Sequence, residues 1–508
     1  MDKFAKVKKN FFWQGIYQVA ILLLGFLVPY VVLNTYGSNV NGLTATIKQV
    51  ILLSSLASAG VTTAATYTLY KPIKDNDGNK IVEIITSVKC EYRRIAIITA
   101  IVCIISSIVL TIFQKGNLDS LGVLAACLLT SLNTIIDLYY TSTTSIFLTA
   151  IQEKYLISIG MIISGIVMYG GQLIICFLNL NYIFLYSTCV IGTVGKVLFL
   201  QYYFKRSYNQ YKSLDNKEKR ERNFHVDGIG YAFANEVAHT VNVATQSVII
   251  AMLYGFSEAS VLSVYMMVVN ALSLVAQVVY SSFGPSFGAV VAEDNKRKIN
   301  DVFEIFQYSL MLVNSFLYMC AVPLFIPFVK LYTSGIKDIQ YVSETLVIEC
   351  VLYGIFYVAR VPYNIVVSAT GKFKKSAIQT CITCAFTICI AIAFSFIDYQ
   401  FVLWGSIIFY LTNTFYQHFM LKRELNHFQN NHFWNHLLVT FLSVLSMFII
   451  SKSISANIDI SNAFLLIIMS FIISIVSVII LLVISYMLDK NSMLKTLKYF
   501  KSKFDKDI

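Results

Sequence analysis

Charge is what this sequence has least of. Charged residues make up 13% of the 508 positions against 57% hydrophobic ones, and the mean hydropathy is +0.68. A soluble chain of this length needs far more charged surface, so the composition excludes one and leaves a multi-span membrane protein. Phosphate-binding loops are missing as well: Gly195-Lys196 and Gly371-Lys372 have neither the upstream glycine spacing nor a following Ser or Thr, so no ATPase module is expected. No nucleophile stands in a helix-turn setting beside a base, and neither an enzyme nor a metal centre is expected. His432 and His436 are spaced i, i+4, with His427 nearby; lacking an acidic residue in place, they read as interfacial side chains rather than metal ligands. The ten cysteines fall mostly in apolar runs, as Cys103, Cys127 and Cys384 do, which implies buried free thiols.

What is present is a series of long apolar runs. They fall at roughly 11–35, 42–70, 95–114, 119–148, 155–178, 181–204, 229–254, 259–290, 305–330, 341–369, 375–396, 399–421, 433–453 and 461–488, about fourteen in all. Each is long enough to cross a hydrocarbon core of ~30 Å at ~1.5 Å per residue. The opening MDKFAKVKKN imitates a secretory leader, but the run after it is too long and no small-residue cleavage pattern closes it, so it reads as an uncleaved first helix. Tyr36-Gly37-Ser38 and Asn41-Gly42 supply turn chemistry between the first two helices.

The net charge of +12 comes from basic residues between the runs, not from one basic face, so nucleic acid is not an expected partner. Basic clusters recur at every second connection: Lys3 to Lys9, Lys71 to Arg94, Lys154, Lys205 to Arg222, Lys296 to Lys298, Lys372 to Lys375, Lys422-Arg423, and the tail from Lys490. Basic loops stay in the cytoplasm, which places both termini there.

An internal repeat is visible. A shift of 218 lays Tyr36-Gly37 on Tyr254-Gly255, and a shift of 219 lays Thr149-Ala150 on Ser368-Ala369. Six helices separate the partners, so the repeat is parallel, as in transporters that alternate access between two lobes. The expected plan is an all-α integral membrane protein: a first lobe at 1–204, a basic linker at 205–228, a second lobe at 229–421, two further helices at 422–489 and a basic tail at 490–508. The two lobes are expected to flank a central cavity.

Polar residues inside the runs mark candidate functional positions. Asn235, His239, Asn242 and Gln246 share one face of the seventh helix, with Glu236 beside His239. Asn270, Ser273, Gln277, Ser281 and Gly284 share a face of the eighth; Lys48, Ser55, Ala59, Thr62 and Thr66 share one on the second; the first offers Gln14 and Gln18. Lipid rejects such stripes, so they turn toward a hydrated cleft or into close helix packing. A charge near the bilayer centre costs at least ~2.5 to 3.5 kcal/mol. The intramembrane cations are Lys48, Lys196 and Arg360, and the anions Asp137, Glu236 and Glu349. Lys48 and Glu236 rank first; the other four read equally well as ion pairs within a lobe or as snorkelling ends. Arg360 precedes Val361-Pro362, where a kink is expected. Tyr17 and Tyr265 are candidates for stacking on sugar rings.

The opening KKNFFWQGIYQV, the PYVVLNTYGSNVNGL turn, the LASAGVTTAATYTLYKP run and the two-lobe-plus-two-helix plan resemble the Wzx-type polysaccharide and O-antigen flippases. Their superfamily also holds multidrug and toxin extrusion transporters and the lipid II flippase. The resemblance implies translocation of an undecaprenyl-diphosphate-linked oligosaccharide across the bacterial cytoplasmic membrane by a monomer surrounded by membrane lipids. It also implies a glycan polymerase and glycosyltransferases as neighbours in the pathway. A diphosphate losing water needs fixed positive charge, for which Lys48, with Arg360 or Lys196, is the expected source. The amides of the seventh and eighth helices would bond sugar hydroxyls. Glu236 and His239, with Asp137 and Glu349, would belong to the cavity or to coupling. No cofactor is expected, and Na+ or H+ coupling stays open.

Overall fold

The computed structural model describes residues 3–115, 118–212, 229–292, 296–424, 432–457 and 462–507. Among them all regular structure is helical: α1 (Lys3–Lys74), α2 (Gly78–Phe113), α3 (Ser120–Ile136), α4 (Ser142–Ala150), α5 (Lys154–Phe177), α6 (Ile183–Lys212), α7 (Ile229–Leu253), α8 (Phe256–Ala292), α9 (Lys296–Tyr332), α10 (Glu344–Thr370), α11 (Phe373–Ser395), α12 (Leu403–Glu424), α13 (Phe433–Asn457) and α14 (Ala463–Asp507). Eleven segments of the described residues are long and apolar enough to span a membrane. This is a multi-pass membrane protein, as the composition requires. Most of the predicted linker, 213–228, lies outside the described residues, as does His427.

α1 holds two legs. Gly37 breaks it at φ 77°, ψ −176°, a conformation that a side chain disfavours, so the predicted turn falls on the one residue suited to it. The repeat is also written in the backbone. Gly255 takes φ 133° at the position that pairs with Gly37, and Gln152 (φ 63°) pairs with Gly371 (φ 68°) at a shift of 219. α3 and α4 form one span around a π-helical turn, Asp137–Thr141.

By internal packing the chain divides into two compact units, Met1–Ser260 and Val261–Ile508. In the first, the opening motif is a docking strip. Lys6 Nζ pairs with Glu153 at 2.8 Å, Asn10 accepts from the Tyr155 amide at 2.7 Å, and Ser158 donates to Gln14 at 2.9 Å. Those bonds tie the first leg of α1 to the turn before α5 and to the start of α5 itself. The PYVVLNTYGSNVNGL turn does the same at the other end. Tyr36 donates to Leu180 O at 2.6 Å, Asn41 to Ser260 Oγ at 2.7 Å, and Ser257 to Asn39 at 3.0 Å. α7, grouped with the second lobe in the sequence reading, packs on α1 inside this unit.

In the second unit α10 is the central helix, buried along most of its length against α9 and α12. α13 and α14 pack on α9 and on each other.

Candidate functional site

The first unit holds two of the three predicted cations, in different states. Lys196, on α6, is 4% exposed, and its Nζ stands 2.6 Å from Asp137 Oδ1. Asp137 opens the π-helical turn, where an extra residue in the helix re-aims the side chain. The Lys196 stem packs on Gly160, whose missing side chain makes the room; an added Cβ there would meet Lys196 Cγ at 3.4 Å. This is an ion pair within a lobe. Replacing Lys196 by alanine leaves Asp137 without its counter-charge and is expected to lower the stability of the purified protein by roughly 2 kcal/mol. The double change with Asp137→Asn should restore most of it in thermal unfolding.

Lys48, on the second leg of α1, is accessible, and no carboxylate pairs with it among the described residues. Its ammonium lies within electrostatic reach of Cys189 on α6, which in turn is near Tyr169 on α5, and Tyr169 near Tyr17 on α1. Gln172 Nε2 donates to Cys189 Sγ at 3.7 Å. Cys189 thus links the Lys48 ammonium on α1 to the Gln172 amide on α5. Four residues before Lys48, Thr44 bonds Tyr186 of α6 at 2.9 Å.

The second unit holds the third cation. Arg360 is 6% exposed near the middle of α10, and its Nε is buried without a hydrogen-bond partner. Its guanidinium sits 5.6 Å from the Tyr410 ring centroid. Tyr353 and Tyr357 stack at 6.2 Å, and each meets Tyr410 edge-on at 5.3 Å. From α8, Tyr280 stands close to both Tyr357 and Gln277. Pro362 removes one amide from α10 two residues beyond, yet the helix runs on to Thr370. Among the described residues no carboxylate pairs with Arg360. A buried guanidinium held by a tyrosine cage can accept an anion that brings its own charge.

Glu349 does not fill that role. It lies eleven residues earlier on α10, about 16 Å along the axis. It is 1% exposed, and both its carboxylate oxygens are buried without a hydrogen-bond partner, with Trp404 and Leu403 nearby.

The amides divide. Asn235, Asn242 and Gln246 are buried on α7, whereas Glu236 is exposed and His239 half-buried. On α8, Asn270 and Gln277 are exposed, on a face well rotated from exposed Val275 and Val278. The side chains of Ser55, Ala59, Ser281 and Gly284 lie outside the described residues. Tyr265 is not a stacking platform: it is fully buried, takes the Ser343 amide at 2.8 Å and stacks on Phe325 at 5.4 Å. Sequence reading missed the tyrosine cage, because Tyr280, Tyr357 and Tyr410 are far apart in the chain and resemble belt tyrosines.

Neither a family model nor a curated protein matches the sequence. Solved structures do. A multidrug resistance MATE family transporter of the MOP superfamily, inward-facing, matches at TM-score 0.63 and 12% identity, over 80% of this chain and 94% of that one. The lipid II flippase MurJ, in an inward closed conformation, matches at TM-score 0.62 and 14% identity, over 94% of this chain and 99% of that one. The Vibrio cholerae MATE transporter VcmN in its bent form matches at TM-score 0.51 and 14% identity, over 84% and 99%. This chain is a multi-pass membrane protein with the fold of MOP-superfamily transporters.

Proposed function

We propose that this protein is a flippase that carries an undecaprenyl-diphosphate-linked oligosaccharide from the cytoplasmic to the outer leaflet of a bacterial cytoplasmic membrane, for surface polysaccharide synthesis. One observation carries the reading: Lys48 and Arg360 lie inside spanning helices without carboxylate partners. An uncompensated intramembrane cation is costly and persists where a ligand supplies the opposite charge. A diphosphate does so, and Lys48 and Arg360 are its assigned contacts. Lys196 serves as the structural partner of Asp137 and assists only if that pair opens. Asn270 and Gln277 offer donors and acceptors to sugar hydroxyls from an exposed polar face, which water favours and lipid does not. The buried Asn235, Asn242 and Gln246 would join them when α7 moves, with Glu236 and His239 at the rim. The lobes would alternate access as a monomer with cytoplasmic termini, and the prenyl chain would stay in lipid.

Deleting the gene is expected to strip surface polysaccharide and trap the lipid-linked oligosaccharide on the cytoplasmic leaflet of membrane vesicles. Correctly sided intermediate and unchanged polymer, in a strain without a second flippase, overturn the reading. A lipid II flippase is the second reading, favoured by the match to MurJ over 94% of this chain; its loss would stop growth rather than remove only the polymer. A multidrug antiporter of the same fold would want an acidic site, and the two unpaired cations count against it.

A further inference from the structure

Where α9, α13 and α14 meet, the structure assembles titratable groups that the sequence does not place together. His432 and His436 do have acidic partners. His436 Nε2 stands 3.1 Å from Asp489 Oδ2, and His432 Nδ1 3.0 Å from Asp489 Oδ1. His432 Nε2 faces Glu304 Oε1 at 3.9 Å. The side chains of His436 and Asp489 are each 1% exposed.

The groups around His436 offer it acceptors on both sides. Gln307 Nε2 donates to the Tyr363 hydroxyl at 2.8 Å, so the amide oxygen of Gln307 is the atom turned to His436 Nδ1, at 3.3 Å. The Tyr363 hydroxyl stands 3.3 Å from His418 Nδ1 as well. Both nitrogens of His436 therefore face acceptors, and only the imidazolium has two N–H groups to give. His432 lies between two carboxylates at ion-pair distance, without a hydrogen bond from its Nδ1.

The surrounding charges agree. α9 contributes Asp301 and Glu304, and α14 contributes Asp489 and Lys495, whose ammonium bonds Asp301 at 2.6 Å and Glu304 at 2.7 Å. Three carboxylates against one ammonium leave two negative charges, and two imidazoles face them. The remaining neighbours are neutral or act through His418: Tyr308 from α9 (5.3 Å from the His436 ring), Tyr363 from α10, His418 from α12 with Lys422 near it, and Ser492 from α14.

Asp489 is also the break in α14, at φ −146°, ψ 55°, and its Oδ1 accepts from the Ser492 amide at 3.3 Å to cap the helix beyond. One carboxylate thus sets the direction of the tail helix and binds both imidazoles. We propose that His432, His436, Asp489 and Glu304 form a proton-binding site that latches α14, at its break, onto α9 and α13. Protonated imidazoles hold the latch closed. Their deprotonation sets lone pairs against acceptors, leaves the buried Asp489 carboxylate without a cationic partner and releases the segment beyond Asp489. This holds whatever the protein transports.

The test is hydrogen exchange on the purified full chain in lipid nanodiscs at pH 6 and pH 8.5. After correction for intrinsic rates, amides 489–499 are expected to exchange at least tenfold faster at pH 8.5. The double variant His432→Gln, His436→Gln should show the fast rate at both pH values. Equal protection of the wild type at both pH values, or an unchanged step in the double variant, overturns the proposal. Should that variant not fold, imidazole 15N spectra of the wild type at pH 6 decide instead: doubly protonated signals from His432 and His436 support the site, and neutral ones overturn it.

Discussion

Replacing Arg360 by alanine is expected to lower surface polysaccharide output about 10- to 100-fold while the protein accumulates normally and melts no lower than the wild type. The two halves of that outcome have one cause. A guanidinium that is 6% exposed, stacked on Tyr410 and unpaired with any carboxylate among the described residues is a net cost to the folded state. Removing it sacrifices a cation–π contact of about 1 kcal/mol and relieves a larger desolvation penalty. Lys196→Ala is the contrast, since there a carboxylate is orphaned and stability falls. A charged hydrogen bond to phosphate is worth about 1.5 to 3 kcal/mol, so losing one slows translocation by about 10- to 100-fold, and losing Lys48 as well multiplies the defect. Arg360→Lys keeps the charge but not the planar fork, and should recover only part of the activity. The measurements are leaflet sidedness of the lipid-linked oligosaccharide in vesicles and thermal unfolding of the purified variants. Wild-type glycan output from the Arg360→Ala, Lys48→Ala double variant would remove diphosphate binding from both residues.

Gly42→Ala is expected to be the most damaging single-methyl change in the first unit. A Cβ at Gly42 would lie 1.6 Å from Phe256 O and 2.5 Å from its carbonyl carbon, both backbone atoms that no rotamer change can move. The strand of polar contacts on either side, Asn41 to Ser260 at 2.7 Å and Ser257 to Asn39 at 3.0 Å, cannot stretch to make room without breaking. Overpacking of this kind costs about 1 to 3 kcal/mol and more when backbone must shift, and each buried hydrogen bond lost adds about 1 kcal/mol. Gly15→Ala and Gly25→Ala meet nothing within 4 Å and serve as controls, with melting temperatures expected at or above that of the wild type. If Gly42→Ala melts with its controls, the close approach of α1 to the start of α8 does not hold in the membrane.

The sequence by itself determined that the regular structure is made of long apolar helices, the break at Gly37 and the repeat that pairs it with Gly255; of about fourteen expected runs, eleven spans are found among the described residues. These features are local. Hydropathy over twenty residues and the φ preference of a single glycine act wherever the segment lies. Which charges would be paired was decided only in the tertiary structure. Asp137 meets Lys196 across 59 positions, His432 and His436 find Asp489 and Glu304 on two other helices, and Arg360 finds tyrosines but no carboxylate. Tyr17 and Tyr265 look alike in sequence, and only the second is buried. The physical reason is rotation about the helix axis. In water an apolar stripe fixes which face turns inward, but in a bilayer lipid and protein interior are equally apolar, so the pattern leaves the azimuth of each helix open until packing against its neighbours sets it.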